Sequence, residues 1–119
     1  MPNSPKNLYK KLLGLTGESL TVKHLKKLGY KILKTNYVTP FGEADIVAIK
    51  NGVTVFIEVK TRSSNKYGNP ASAVGYKKQQ KYREIANFYV LENGLNDAII
   101  SFAVAEVIGE EINIITDAF

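Results

Sequence analysis

Apolar positions along the chain recur with two different periods, and the switches between them predict the elements. From Thr16 to Leu28 the spacing is helical: Val22, Leu25 and Leu28 repeat every third residue, Lys23, His24, Lys26 and Lys27 lie between them, and Gly29 is the stop. Before it, Met1 to Gly14 forms a basic lead-in with room for a short helix at Lys6 to Leu13. Tyr30 to Tyr37 reads as a strand, and Thr39, Pro40, Phe41 and Gly42 turn out of it. Two β-rich runs follow, Glu43 to Lys50 and Val53 to Arg62, joined by Asn51 and Gly52, the strongest short-range hairpin cue. Ser63 to Pro70 is a polar loop. Tyr76 to Leu91 returns to helical spacing, with Tyr82, Ile85, Ala86 and Tyr89 on one stripe and Asn93 and Gly94 at its end. Ala98 to Ile108 and Glu111 to Thr116 are strands about a turn near Gly109 and Glu110. The order α-β-β-β-α-β-β predicts an α/β sandwich, with a mixed central sheet of about five strands flanked by helices. No repeat or linker divides the chain, so residues 1–119 are expected to form a single domain.

The hairpin gathers charge. With Asn51 and Gly52 as the two central turn residues, Lys50 faces Val53, Asp45 falls opposite Glu58, and Glu43 falls opposite Lys60. Side chains alternate along a strand, so Glu43, Asp45, Glu58 and Lys60 all leave one side of the sheet. Ile46, Ala48, Val55, Ile57 and Val59 leave the other, which is a core face. Val47, Ile49 and Phe56 share the charged side and place its acids at the rim of an apolar surface. Directly opposed carboxylates repel by about 3 kcal/mol at an effective dielectric near 20. A hard divalent cation, Mg²⁺ or Mn²⁺, would relieve that repulsion at an Asp45/Glu58 clamp, and Lys60 would stand beside it for a phosphate or a water. The competing arrangement pairs Glu43 with Lys60 and leaves one of Asp45 and Glu58 solvated or protonated.

Further residues extend this constellation. Glu18 lies in line with Val22 and Leu25 and leans towards the core, either completing the metal site or complementing a helix N-terminus. Lys78 and Gln79 continue the Tyr82 stripe towards the start of the second long helix, where they meet phosphate or form a solvated first turn.

Composition narrows the chemistry. With no cysteine and His24 as the one histidine, disulfides and thiolate sites are excluded, and zinc sites and histidine-based triads lose most of their ligands. Any metal must be held by carboxylates. All 16 Lys and Arg residues lie at or before Arg83 against four acids, a balance of +12, whereas Glu84 to Phe119 carries seven acids and no Lys or Arg. The basic part seeks an anion, and a nucleic acid is the natural partner. Arg62, Lys77, Lys78 and Lys81 are its candidate contacts. Met1 to Lys11 is polar and basic and no apolar run reaches the length of a membrane span, so no membrane association and a cytoplasmic location are expected.

Asp45 followed by Glu58-Val59-Lys60 resembles the PD-(D/E)XK nuclease superfamily, whose core carries an Asp on one strand and acid-x-Lys on the next. The fuller string is more specific: Thr16-Gly17-Glu18, Gly29-Tyr30, Asn36, Gly42-Glu43-Ala44-Asp45, Val55 to Arg62, Gly68-Asn69-Pro70 and Ala118-Phe119. It resembles, over nearly the whole chain, the YraN-like family of small bacterial proteins related to archaeal Holliday junction resolvases. The resemblance implies a restriction endonuclease-like three-layer sandwich. It also implies a metal-dependent phosphodiesterase site at Glu18, Asp45, Glu58 and Lys60, with Glu43 and Gln79 accessory, acting on DNA. Cleavage of branched DNA by a homodimer is its sharper form. Where the family usually reads Arg-Phe-Asp-Val, this chain has Ser101-Phe102-Ala103-Val104. The alternative function is a non-catalytic nucleic-acid-binding or assembly module that keeps the fold.

Overall fold

The computed structural model describes residues 5–62 and 74–119, with side chains from residue 16 onward. Helix α1 (Pro5–Lys27) precedes strands β1 (Lys31–Thr39), β2 (Gly42–Lys50) and β3 (Val53–Arg62). Helix α2 (Tyr76–Glu92), β4 (Ile99–Ile108) and β5 (Glu111–Ile115) complete the order. The expected loop from Ser63 to Pro70, with Gly68-Asn69-Pro70, lies outside the described residues. The five strands form one mixed sheet in the order β1-β2-β3-β4-β5, antiparallel except for the β3–β4 pair. Parallel neighbours need a crossover, and α2 supplies it.

The hairpin forms as its turn residues dictate. Asn51 and Gly52 both take positive φ (52° and 77°), as the tight turn requires, and the ladder runs from Lys50↔Val53 to Ile46↔Ile57. Alternation then divides the core. Ile46, Ala48, Val55 and Ile57 pack with Leu25 of α1, and with Ala103 and Ala105 of β4. On the opposite face, Val47 and Phe56 pack under Tyr82, Ile85, Ala86 and Tyr89 of α2. Helices therefore cover both faces, and the molecule is a three-layer α/β sandwich.

The two short helical stretches expected near the amino terminus are one continuous helix. Gly14 and Gly17 each cost about 1 kcal/mol relative to alanine in a helix interior. Tertiary packing recovers this at Gly17, where a Cβ would run into Thr61 Oγ1 of β3. The glycine is what lets α1 lie close on the sheet. Thr21 Oγ1 donates to the Gly17 carbonyl at 2.7 Å and seals the same crossing. No described helix is long and apolar enough to cross a membrane.

Leu25 is wholly buried between α1 and the sheet. Leu25→Ala is expected to destabilise the protein by about 2–5 kcal/mol, read as a lower urea midpoint with an unchanged slope. A loss under about 1 kcal/mol would show that α1 is not docked through this residue.

Candidate active site

The β2–β3 register, continued past Ile46↔Ile57, would set Asp45 opposite Glu58 and give the N–H of Val59 to the main chain of β2. The ladder instead stops at Ile46↔Ile57, and the Val59 N–H donates to Asp45 Oδ2 at 2.8 Å. A side chain has replaced a main-chain acceptor. Beyond this point β2 stays paired with β1 (Tyr37↔Ala44, Val38↔Glu43) and β3 stays paired with β4 (Glu58↔Val104 to Arg62↔Ile108). The two strands therefore part company, and the acids expected to face each other across a ladder line a fork.

Both helices reach into this fork. Glu58 is 5% exposed. Its Oε2 accepts from the Tyr82 hydroxyl at 2.5 Å, while Oε1 lies 2.6 Å from Lys78 Nζ and 3.8 Å from Lys60 Nζ. From the other face, Glu18 of α1 comes close enough to Asp45 to influence its charge. Asn36, in β1, sits between the Thr35↔Ile46 and Tyr37↔Ala44 pairs with φ of 49°. With its amide nitrogen turned to the acids, it donates to Glu18 Oε2 at 3.1 Å and Glu43 Oε1 at 3.2 Å.

Crowding of like charges moves the protons. Burial, then the charge of Glu58, pushes the Asp45 carboxyl up to about 7, against the pull of the Val59 N–H and of Lys78. Glu18 is also raised, first by burial and further by Glu43 and Glu58, with its hydrogen bonds to Asp45 and Asn36 opposing. Burial, together with the charges of Glu58 and Asp45, raises the Tyr82 phenol, which holds it in its donor form. The competing arrangement read from the sequence is thus split. Asp45 keeps a proton towards neutral pH, but Lys60 pairs with Glu58 instead of Glu43.

Glu18, Asp45, Glu58, Lys60 and Lys78 are brought together, with Glu43 joined to them through Asn36. Gln79 points elsewhere and donates to the Val74 carbonyl at 2.9 Å, fastening the backbone before α2. Arg62 lies 3.7 Å from Glu106 Oε2 with both side chains nearly buried, while Lys77 and Lys81 are exposed along α2. Two participants escaped the sequence reading. Asn36 stood in the family string with no role attached to it. Tyr82 looked like core, although a buried phenol needs a partner and Lys78, one turn earlier, marked the direction in which to seek it.

Among the described residues, no three His, Cys, Asp or Glu side chains form a ready-made metal cage. The donors are nonetheless hard oxygens, and one or two carboxylates with water and substrate phosphate is the usual Mg²⁺ arrangement. Asp45 and Glu58 fit that pattern.

A five-stranded mixed sheet held between two helices, with carboxylates and lysines collected where two strands separate, defines a small α/β protein with a charged site at its strand fork. The chain belongs to the family described as Uncharacterised protein family UPF0102, whose sequence model matches residues 17–115. This is the small bacterial family to which the motifs pointed. It is 45% identical over 112 residues to a UPF0102 protein of Alkaliphilus metalliredigens, covering 92% of this chain and 98% of that one. Identity is 50% over 99 residues with a relative from Alkaliphilus oremlandii (82% and 85% covered). It is 42% over 117 residues with one from Clostridium perfringens (93% and 96% covered).

The raised Asp45 carboxyl has a stability consequence of definite sign. Between the unfolded value near 3.8 and the folded value of about 7, the native state binds more protons. Stability therefore falls as pH rises through this window, and the loss is complete above it. Asp45→Asn removes the titration while leaving an acceptor for Val59. The variant is expected to be more stable than the wild type at about pH 8, by on the order of 2–3 kcal/mol after partial solvent screening. The difference should vanish below about pH 4. Equal melting temperatures at the higher pH would show that Asp45 carries no such burden.

Proposed function

We propose that this protein is a Mg²⁺- or Mn²⁺-dependent endonuclease of the PD-(D/E)XK kind that hydrolyses phosphodiester bonds of DNA. One observation carries the proposal: Asp45 and Glu58 crowd a water-poor fork with Lys60 beside them, at a cost in stability that folding alone does not explain. Clustered carboxylates facing a basic surface are a liability for simple binding of a polyanion and an asset for holding a cation against phosphate. Asp45 and Glu58 would hold the ion, and Glu18, held by Asn36, would accept a proton or bind a water beside it. When bound, the ion would polarise the phosphoryl oxygen and lower the pKa of water. Lys60 would offer its ammonium to the phosphate as charge develops. Branched DNA as substrate and a homodimer as the acting species are the sharper form of the same proposal.

A second function is favoured by a specific contact. Lys78 Nζ stands 2.6 Å from Glu58 Oε1 and neutralises it without any metal, as a non-catalytic nucleic-acid-binding or assembly module would require.

The two functions separate on supercoiled plasmid and on a four-way DNA junction incubated with Mg²⁺ or Mn²⁺. Nicking that depends on the ion is expected, with a loss of at least about a hundredfold in Asp45→Asn and in Glu58→Gln while both variants remain folded. Full activity in either variant would end the assignment. Absence of cleavage under every divalent ion would favour the binding module. In both cases affinity should weaken steeply with salt, by about 0.9 in log–log slope for each phosphate contacted.

A further inference from the structure

We propose that Lys78 is an exchangeable counter-ion: it holds the Glu58 carboxylate that the divalent cation would take and is handed to a DNA phosphate when that cation binds. The inference rests on the metal-dependent function proposed above.

Lys78 Nζ is 2.6 Å from Glu58 Oε1. An Mg²⁺ ion coordinated by Glu58 would sit about 2.1 Å from a carboxylate oxygen. An ammonium kept on the same oxygen would then face a doubly charged neighbour only a few ångströms away, in a site where Glu58 is 7% exposed at its side chain. Both cations cannot stay, and the geometry decides which one moves. Lys60 already stands back at 3.8 Å from the same oxygen. The Lys78 side chain is 45% exposed and ends a flexible four-carbon stem, so it can swing out without repacking the core.

Its starting place also favours release towards an anion. Lys78 lies in the first turn of α2, which holds no acidic residue and whose cap, Gly75, makes no side-chain hydrogen bond. A cation there opposes the helix dipole, and Glu58 offsets that penalty only while it remains unligated. A phosphate arriving at the fork supplies the replacement partner. Cation and phosphate are thereby coupled through one side chain, and each should raise the affinity for the other.

Mn²⁺ titration followed by loss of the free-ion electron paramagnetic resonance signal tests the exchange on the full chain. Lys78→Met keeps most of the stem and removes the competitor, so it should bind Mn²⁺ about tenfold more tightly than wild type or better, while Lys26→Met on α1 should match wild type. Equal or weaker binding in Lys78→Met would overturn the exchange and leave the metal site standing. No Mn²⁺ uptake by either protein would overturn both. A wild-type measurement guards against a misfolded variant. Adding Mg²⁺ should shift the Lys78 ammonium nitrogen resonance to that of a free, rapidly exchanging lysine, and a resonance that stays fixed while Mg²⁺ binds would refute the proposal. The hand-over itself is read with a phosphorothioate DNA duplex: Lys78→Met should lower the salt slope of binding by about one with Mg²⁺ present and leave it unchanged without. An identical slope in both conditions would refute it.

Discussion

The N–H of Val59 has two acceptors on offer from β2, and the one it takes shapes the site. A main-chain carbonyl would have prolonged the ladder and kept Asp45 and Glu58 directly opposed on a flat pleat. The Asp45 carboxylate, at 2.8 Å, ends the ladder one pair earlier. Short polar side chains compete with the main chain for strand N–H groups, and a carboxyl oxygen set beside the Val59 N–H takes the place of the carbonyl. Once the strands separate, α1 and α2 can approach the same point from opposite faces. Glu18, Asn36, Lys78 and Tyr82 all depend on that opening.

Much of the scaffold was legible because it rests on local rules. Asn51 and Gly52 set the turn, the turn set the register, and the register sorted Ile46, Ala48, Val55 and Ile57 from Val47 and Phe56 onto the two cores observed. The stripe Tyr82, Ile85, Ala86 and Tyr89 is likewise the buried face of α2. The fork was not legible, since pairing rules assume main-chain partners and say nothing of a side chain that outcompetes one. Asn36 was hidden for a related reason: its positive φ aims the amide at two acids, and no strand pattern signals such a turn in direction. The continuous α1 was missed because a glycine reads as a breaker when the surface it packs on is out of view. Gly17 is tolerated because of Thr61, 44 positions further on.

The cationic surface, too, is less uniform than its composition suggests. Arg62 and Glu106 form a nearly buried pair beyond the fork, which ties the end of β3 to β4. Lys60 and Lys78 are committed to Glu58. Of the basic residues expected to contact nucleic acid, Lys77 and Lys81 lie exposed on α2. The charge excess is therefore sorted by partner: some cations hold the acids in place, while Lys77 and Lys81 face outward where a polyanion would be met.

This sorting explains how a small domain tolerates several carboxylates in one place. Each acid has a different compensation: Glu58 takes two ammonium groups and a phenol, Asp45 takes a backbone N–H and retains a proton towards neutral pH, and Glu18 shares an amide with Glu43. Apolar residues of similar volume would remove the repulsion, and such replacement of buried charges is often neutral or stabilising. Groups whose pKa values are shifted by burial and by neighbouring charges in this way are commonly found at functional sites. The compensating groups are also unequal in permanence. Tyr82 and the Val59 N–H are fixed by the core and the strand, whereas Lys78 is tethered by a flexible stem at the surface. A site built of fixed donors with one movable cation can change its charge partner without changing its shape.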